Sequence, residues 1–270
     1  MEYMIKNGNT IPSIAPRISE NFVNPYRCEN MKAALLYCKG RKELIEKYLS
    51  VTPFQYVSDI FAILAADFAN HDGPEGPYRF VSFVIPVEHN GMKGGYHMLT
   101  YNNNSDVVIR NREVFGYPDK LADIIMEDDA DHFTCKCNII CTGALNGKKL
   151  IQIDIDKTAS IHAPEGLPEF TPDIMLKTMG NPEGEGILYE LALSRNELVD
   201  FEISSEKDCP GVVRLWGSEV DPLDELQPIE ILGAKYVTGN FASTNENGWA
   251  VIREEVSSID DYFKDRTLKY

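Results

Sequence analysis

The sequence predicts a mainly β (α+β) fold: an antiparallel β-barrel carrying few short helices. Three observations lead there. From Phe54 onward the chain is a succession of extended segments, among them "YRFVSFVIPVEHN", "GYHMLTY", "DVVIRNREVF", "KLIQIDID" and "IEILGAKYVTGNF", punctuated by Gly, Asn and Pro. Long helical periodicity is nearly absent. Asn146-Gly147 stands between two alternating segments, the composition a type I′ hairpin turn demands, so the flanking strands should pair antiparallel. Many antiparallel strands with few helices favour closure, because a closed sheet leaves no exposed edges.

The elements follow in order. Residues 1–27 are polar, with Pro12, Pro16 and Pro25 breaking any helix, and read as an irregular N-terminal arm. "MKAALLYC" reads as a strand, and "KELIEKYL" as a short amphipathic helix with Leu44, Ile45 and Leu49 on one side. After the strands to "DVVIRNREVF", Gly116-Tyr117-Pro118 turns the chain and "DKLADIIM" reads as a short helix. "SIDDYFKD" near the end reads as another. With no repeat or linker, one domain over residues 1–270 is expected.

Composition excludes several classes. The 270 residues hold 43% apolar and 25% charged side chains, ordinary for a folded chain. The net charge is -16 and no Lys/Arg cluster occurs, which argues against nucleic acid. No apolar run nears the ~20 residues needed to span a bilayer, and "MEYMIKNGNTIPS" lacks the apolar core of a signal peptide. No membrane partner and a cytoplasmic location are expected. Six cysteines do not make a disulfide framework and read as reduced thiols.

In "HFTCKCNIIC" strand alternation puts Phe133, Cys135, Cys137, Ile139 and Cys141 on one face and His132 on the other, which favours packing over zinc. His71, His89 and His97 lie in or beside neighbouring predicted strands; structural histidines are favoured, and a metal stays open only if the three converge. No dinucleotide fingerprint, phosphate loop or nucleophile elbow occurs, so no cofactor is expected.

Further signals come as a set. "VIPVEHNGMKGGYHMLTYNNNSDVVIRNREVFGYPDKL", "PDIMLKTMGNPEGEGILYEL" and "GVVRLWGSEVDPLDELQPIEI" run in order through most of the chain. They resemble the acetoacetate decarboxylase family: its Ile-Pro-Val, Asn-Gly-x-Lys-Gly, Arg-Glu and Tyr-Pro-Lys-Lys-Leu segment, its Met-Leu-Lys strand, and its Arg-Leu, Pro-Leu and Pro-x-x-Glu-Ile pattern. The resemblance implies an acetoacetate decarboxylase-like β-barrel with a buried apolar cavity, a small carbonyl substrate and a homo-oligomer. It also implies Schiff-base chemistry on a lysine whose pKa a second lysine depresses; acetoacetate decarboxylase is itself the general example of an amine activated in this way.

This chain departs from the pattern at that point. The family's reactive lysine falls on Asp119 and its activating neighbour on Lys120. A carboxylate beside an amine favours the ammonium, the opposite of activation. The family's pocket carboxylates fall on Ala66 and Phe80, while a His-Asp pair persists as His71-Asp72. The resemblance therefore implies a diverged enzyme of lyase type acting on a small keto acid, β-dicarbonyl or other enolisable compound by acid-base lyase, isomerase or hydrolase chemistry without a Schiff base. Asp119 is the expected base or acid, Arg112 the expected clamp for a carboxylate or enolate oxygen unless it pairs internally with Glu113, and Tyr117, His97, Phe80 and His71 the expected substrate contacts. Two alternatives stay open: Schiff-base decarboxylation through Lys120, and a non-catalytic protein that holds a small ligand.

Overall fold

The computed structural model describes residues 26–140, 147–177, 191–196, 201–244 and 251–256. The elements run β1 (Tyr26–Lys39), α1 (Lys42–Leu49), β2 (Gln55–Tyr56), β3 (Ile60–Phe68), β4 (Tyr78–His89), β5 (Met92–Asn102), α2 (Ser105–Arg110), β6 (Asp119–Asp128), β7 (His132–Ile139), β8 (Lys149–Asp156), β9 (Asp173–Lys177), β10 (Leu191–Asn196), β11 (Phe201–Cys209), β12 (Gly211–Leu215), β13 (Glu230–Ser243) and β14 (Val251–Val256). The strands form one nearly closed sheet in the order β11-β13-β1-β3-β4-β5-β6-β7-β8-β12, with β2 on β4, β9 joining β5 to β10, and β14 on β10.

Strand alternation gives this sheet two working faces. Ala34, Leu36 and Cys38 of β1, Phe61, Ile63 and Ala65 of β3, and Val81, Phe83 and Ile85 of β4 point into the main core. That core also receives Ile45, Tyr48 and Leu49 of α1. The alternate residues, Met31, Ala33 and Leu35, Ala62, Leu64 and Ala66, and Phe80 and Val84, line a cavity of about 450 Å³ on the other face. Val237 and Phe241 of β13 and Phe201 and Ile203 of β11 complete its apolar walls.

The β7–β8 ladder is antiparallel, as the Asn146-Gly147 signal predicts, and Gly147 has φ +74°; Asn146 lies outside the described residues. Most of the N-terminal arm and the "SIDDYFKD" segment lie outside them too. Cys135 and Cys137 are fully buried with Phe133, and His132 is exposed on the opposite face. Burial pushes the Cys135 thiol up to about 12 and raises Cys137 as well, which disfavours the thiolate that a metal or an electrophile requires. No described helix is long and apolar enough to cross a membrane.

Two segments differ from expectation. "DKLADIIM" is the first eight residues of β6, not a helix: Ala122, Ile124 and Met126 are buried while Leu121 and Ile125 face out, a period of two completed by pairing with β7. "DVVIRNREVF" is helical rather than extended. Asn104 caps α2 by accepting from the Asp106 and Val107 amides, and a π-helical turn over Asn111–Phe115 follows, closed by Gly116 at φ +86°. This helical bridge lets β6 return parallel to β5, with Thr100 opposite Asp119 and Tyr101 opposite Lys120.

Candidate active site

The polar end of the cavity begins with an irregularity in β5. The β4–β5 register shifts between Phe83 and Val84, so Ser82 pairs with Thr100 and Val84 with His97. His97 and Thr100, three residues apart, therefore share the cavity face. His97 Nδ1 lies 2.8 Å from Ser82 Oγ, which is 2.9 Å from Thr100 Oγ1. His97 Nε2 lies 3.1 Å from Asp173 Oδ1, and the Tyr117 hydroxyl donates to Asp173 Oδ2 at 2.5 Å. The Tyr117 ring meets the imidazole edge-on at 5.0 Å. Asp173 thus ties a histidine and a phenol into one array on the wall.

Glycine makes that array possible. A Cβ on Gly95 would lie 2.3 Å from the Phe170 carbonyl oxygen, and the Gly95 amide donates to Pro172 O at 2.9 Å. The segment before β9 therefore lies flat on β5 and delivers Asp173 beside His97.

The helical bridge supplies the second group. Arg110, at the end of α2, is 4% exposed and in direct ion-pair contact with Glu75, whose side chain is wholly buried. Its guanidinium sits 5.8 Å from the Tyr78 ring centroid. Next to it, Asn111 lines the cavity and donates through Nδ2 to Asp119 Oδ2 at 2.8 Å.

Asp119 is completely buried behind Asn111, and its Oδ1 has no hydrogen-bond partner among the described residues. Burial pushes its carboxyl up to about 6, outweighing the Asn111 hydrogen bond and the charges of Arg110, His97 and Arg112. Lys120 goes the other way. Sharing Tyr101's side of the sheet, it donates to Val220 O at 2.6 Å and Asp221 Oδ1 at 2.8 Å, and Tyr101 donates to the same carboxylate oxygen.

The residues singled out in the sequence thus divide. Tyr117, His97 and Phe80 line the cavity, with Ala66 directly opposite Phe80 in the β3–β4 register. Arg112, Glu113 and Lys120 border a separate cleft, to which Asp119 also belongs, and Arg112 donates to the Asp119 carbonyl at 3.0 Å. His71 is buried against Tyr26 and Tyr78 with Nδ1 accepting from the Gly73 amide, and burial, then Arg110, lowers it to about 4. His89 contacts Pro53 O and Asn90 instead. No group of three or more potential metal ligands gathers among the described residues.

Sequence reasoning missed Arg110, Asn111, Thr100 and Asp173. For the first two a signal existed: Asn104 before Ser105-Asp106 is a helix start, and a helix there turns Arg110 inward. Asp173 and Thr100 carried none, since only the register of distant strands brings them to His97.

An apolar cavity inside a mostly closed sheet, with a tyrosine, a histidine and buried acids at one end, defines a barrel protein with a polar-ended internal pocket. The sequence profile for "Acetoacetate decarboxylase (ADC)" matches residues 10–247, and the chain belongs to that family. Acetoacetate decarboxylase of Burkholderia vietnamiensis is 27% identical over 170 residues, 62% of this chain; the match spans only 65% of that relative's length. The crystal structure of acetoacetate decarboxylase from Legionella pneumophila superposes with a TM-score of 0.76 at 19% identity, covering 96% of this chain and 98% of that one. An acetoacetate decarboxylase-like enzyme from Sphingomonas wittichii gives 0.69 at 13% identity over 92% of this chain and all of that one (100%). These likenesses bear out the mainly β barrel fold.

Proposed function

We propose that this chain is an enzyme acting on a small enolisable carbonyl compound by acid-base chemistry, without a Schiff base. The observation that carries the reading is the opposed orientation of Asp119 and Lys120: the carboxyl is buried behind the cavity wall and the amine is bound to Asp221 across the sheet. A Schiff base needs a neutral amine inside the cavity. Among the described wall residues the one lysine is Lys235; burial lowers its pKa, but Asp208 and Glu206 outweigh that and leave it raised.

In this reading a carbonyl compound sits with its polar end against Tyr117, His97 and Thr100. A base removes a proton from the carbon beside the carbonyl, and the electron pair moves to oxygen as an enolate held by the second N–H of the Asn111 amide, and by the Tyr117 hydroxyl once it turns from Asp173. His97 lines the same end with Nδ1 facing Ser82 and Nε2 facing Asp173, so it takes or returns the proton by exchanging one of these partners for the ligand. Asp119, one residue behind Asn111 with a pKa near 6, is a second proton reservoir that becomes reachable when the Asn111 amide turns aside.

The test is deuterium exchange at the α-carbon of a panel of ketones, diketones and keto acids, with binding measured in parallel. Exchange by the wild-type chain, lost in His97→Gln or Asp119→Asn while binding persists, supports the reading. Borohydride trapping of a ligand on lysine would replace it with Schiff-base chemistry. Binding without exchange of any compound would make the chain a ligand-holding protein.

A further inference from the structure

Both permanent cations on the described cavity wall already face carboxylates. Arg110 is neutralised by Glu75, which no solvent reaches. Lys235, at the mouth, lies 3.3 Å from Glu206 and 3.8 Å from Asp208. Asp173 adds an acid, and an imidazolium at His97 would only balance it. Counted together, the acids in and against the wall outnumber the cations, in a chain whose net charge is -16. A ligand carboxylate would surrender its hydration without meeting an unengaged cation, which is the costly way to bury a charge.

The rest of the wall speaks to the ligand's body. Leu35, Leu64, Phe68, Phe80, Val84 and Phe241 form it, with Ala66 directly beside Phe80 in the β3–β4 register. A cavity of about 450 Å³ lies in the range of sites that hold drug-sized ligands, ~300–1,000 Å³. Phe201 and Ile203 extend the apolar surface to the mouth.

We propose that the substrate is an uncharged enolisable carbonyl compound with an apolar body, of the β-diketone class carrying an alkyl chain or an aryl ring, and not a β-keto acid. Its two carbonyl oxygens meet the donors at the polar end, and its body fills the space between β1, β3, β4 and β13. This rests on the cavity being the reacting site described above and decides which carbonyl compounds enter it.

Calorimetry near neutral pH with matched pairs tests it: pentane-2,4-dione against acetoacetate, and 1-phenylbutane-1,3-dione against benzoylacetate. The dione is expected to bind at least about tenfold tighter in each pair. From pentane- to nonane-2,4-dione, affinity should rise by up to about fourfold per methylene, the factor that corresponds to ~0.8 kcal/mol per buried CH₂. Glu206→Gln combined with Asp208→Asn, which frees Lys235 at an exposed rim, should narrow the gap by strengthening carboxylate binding. Equal or tighter binding of the carboxylates, or no binding of any dione, overturns the proposal. The reading of function fails separately: diones that bind as expected but exchange no α-proton refute the enzyme and leave the ligand class standing.

Discussion

Asp119 and Lys120, adjacent in the chain, face opposite sides of one sheet. Thr100 stands opposite the first and Tyr101 opposite the second in the parallel β5–β6 pairing, so the acid is delivered behind the cavity and the amine to Asp221. Because β6 is a strand from its first residue, the two side chains diverge by half a turn, more than the roughly 100° of a helix start. Position 119 is thus filled by a carboxyl that burial holds near 6.

Lys120 is a structural cation, and its removal should cost stability and not ligand binding. Asp221 is 3% exposed and accepts from Lys120, Tyr101 and Ser218. With the lysine side chain 39% exposed, solvent screening reduces its share, and Lys120→Met should destabilise by about 1 kcal/mol. Urea unfolding checks the value, and a double-mutant cycle with Asp221→Asn should show coupling between them.

Asp119 and His71 should give stability opposite pH slopes. The folded pKa of Asp119 is about 6 against an ordinary 3.8, so between these values the native state binds more protons than the unfolded chain and stability falls as pH rises. His71 is held near 4 against 6.5, so within that window the unfolded chain binds more protons and stability rises with pH. Asp119→Asn should raise stability above pH 6, with a ceiling of ~3 kcal/mol at about 1.4 kcal/mol per pKa unit, and the gain should vanish below about pH 4. His71→Gln should steepen the fall with pH. Thermal melts of the three proteins from pH 4 to 8 test both signs.

Arg110→Met should be among the most damaging single substitutions, since it strands the Glu75 carboxylate in the interior, at about 3–5 kcal/mol. Pairing it with Glu75→Gln should recover much of that loss. If chemical denaturation shows the double variant no better than the single one, the pair is not the source of the cost.

Gly95→Ala should separate Asp173 from His97. The added methyl meets the Phe170 carbonyl, so the segment before β9 must lift, at about 1–3 kcal/mol of overpacking. The ring NMR signals of His97 should change position with loss of its Asp173 partner, and unchanged signals in the variant would show that the segment had not lifted.

Much of the fold was legible in the sequence because burial on one face imposes a period of two. "MKAALLYC", the β7 cysteine strand and the hairpin before β8 could all be read that way. "DKLADIIM" was misread because a short apolar run fits both periods until a partner strand selects one, here β7. "DVVIRNREVF" was misread because its β-branched residues outweighed the Asn104 cap.

By itself the sequence determined that this is a β-rich chain of the acetoacetate decarboxylase type, with an adjacent acid and amine, Asp119 and Lys120, after its Gly-Tyr-Pro corner. Only the tertiary structure decided which arginine reaches the cavity, where Lys120 goes, and that Asp173 joins His97 and Tyr117. The reason is physical: alternation is local and written in neighbouring residues. Register, bulges and the close approach at Gly95 are set by partners far along the chain: Asp173 is 78 positions from Gly95, and Ser243 is 217 from Tyr26.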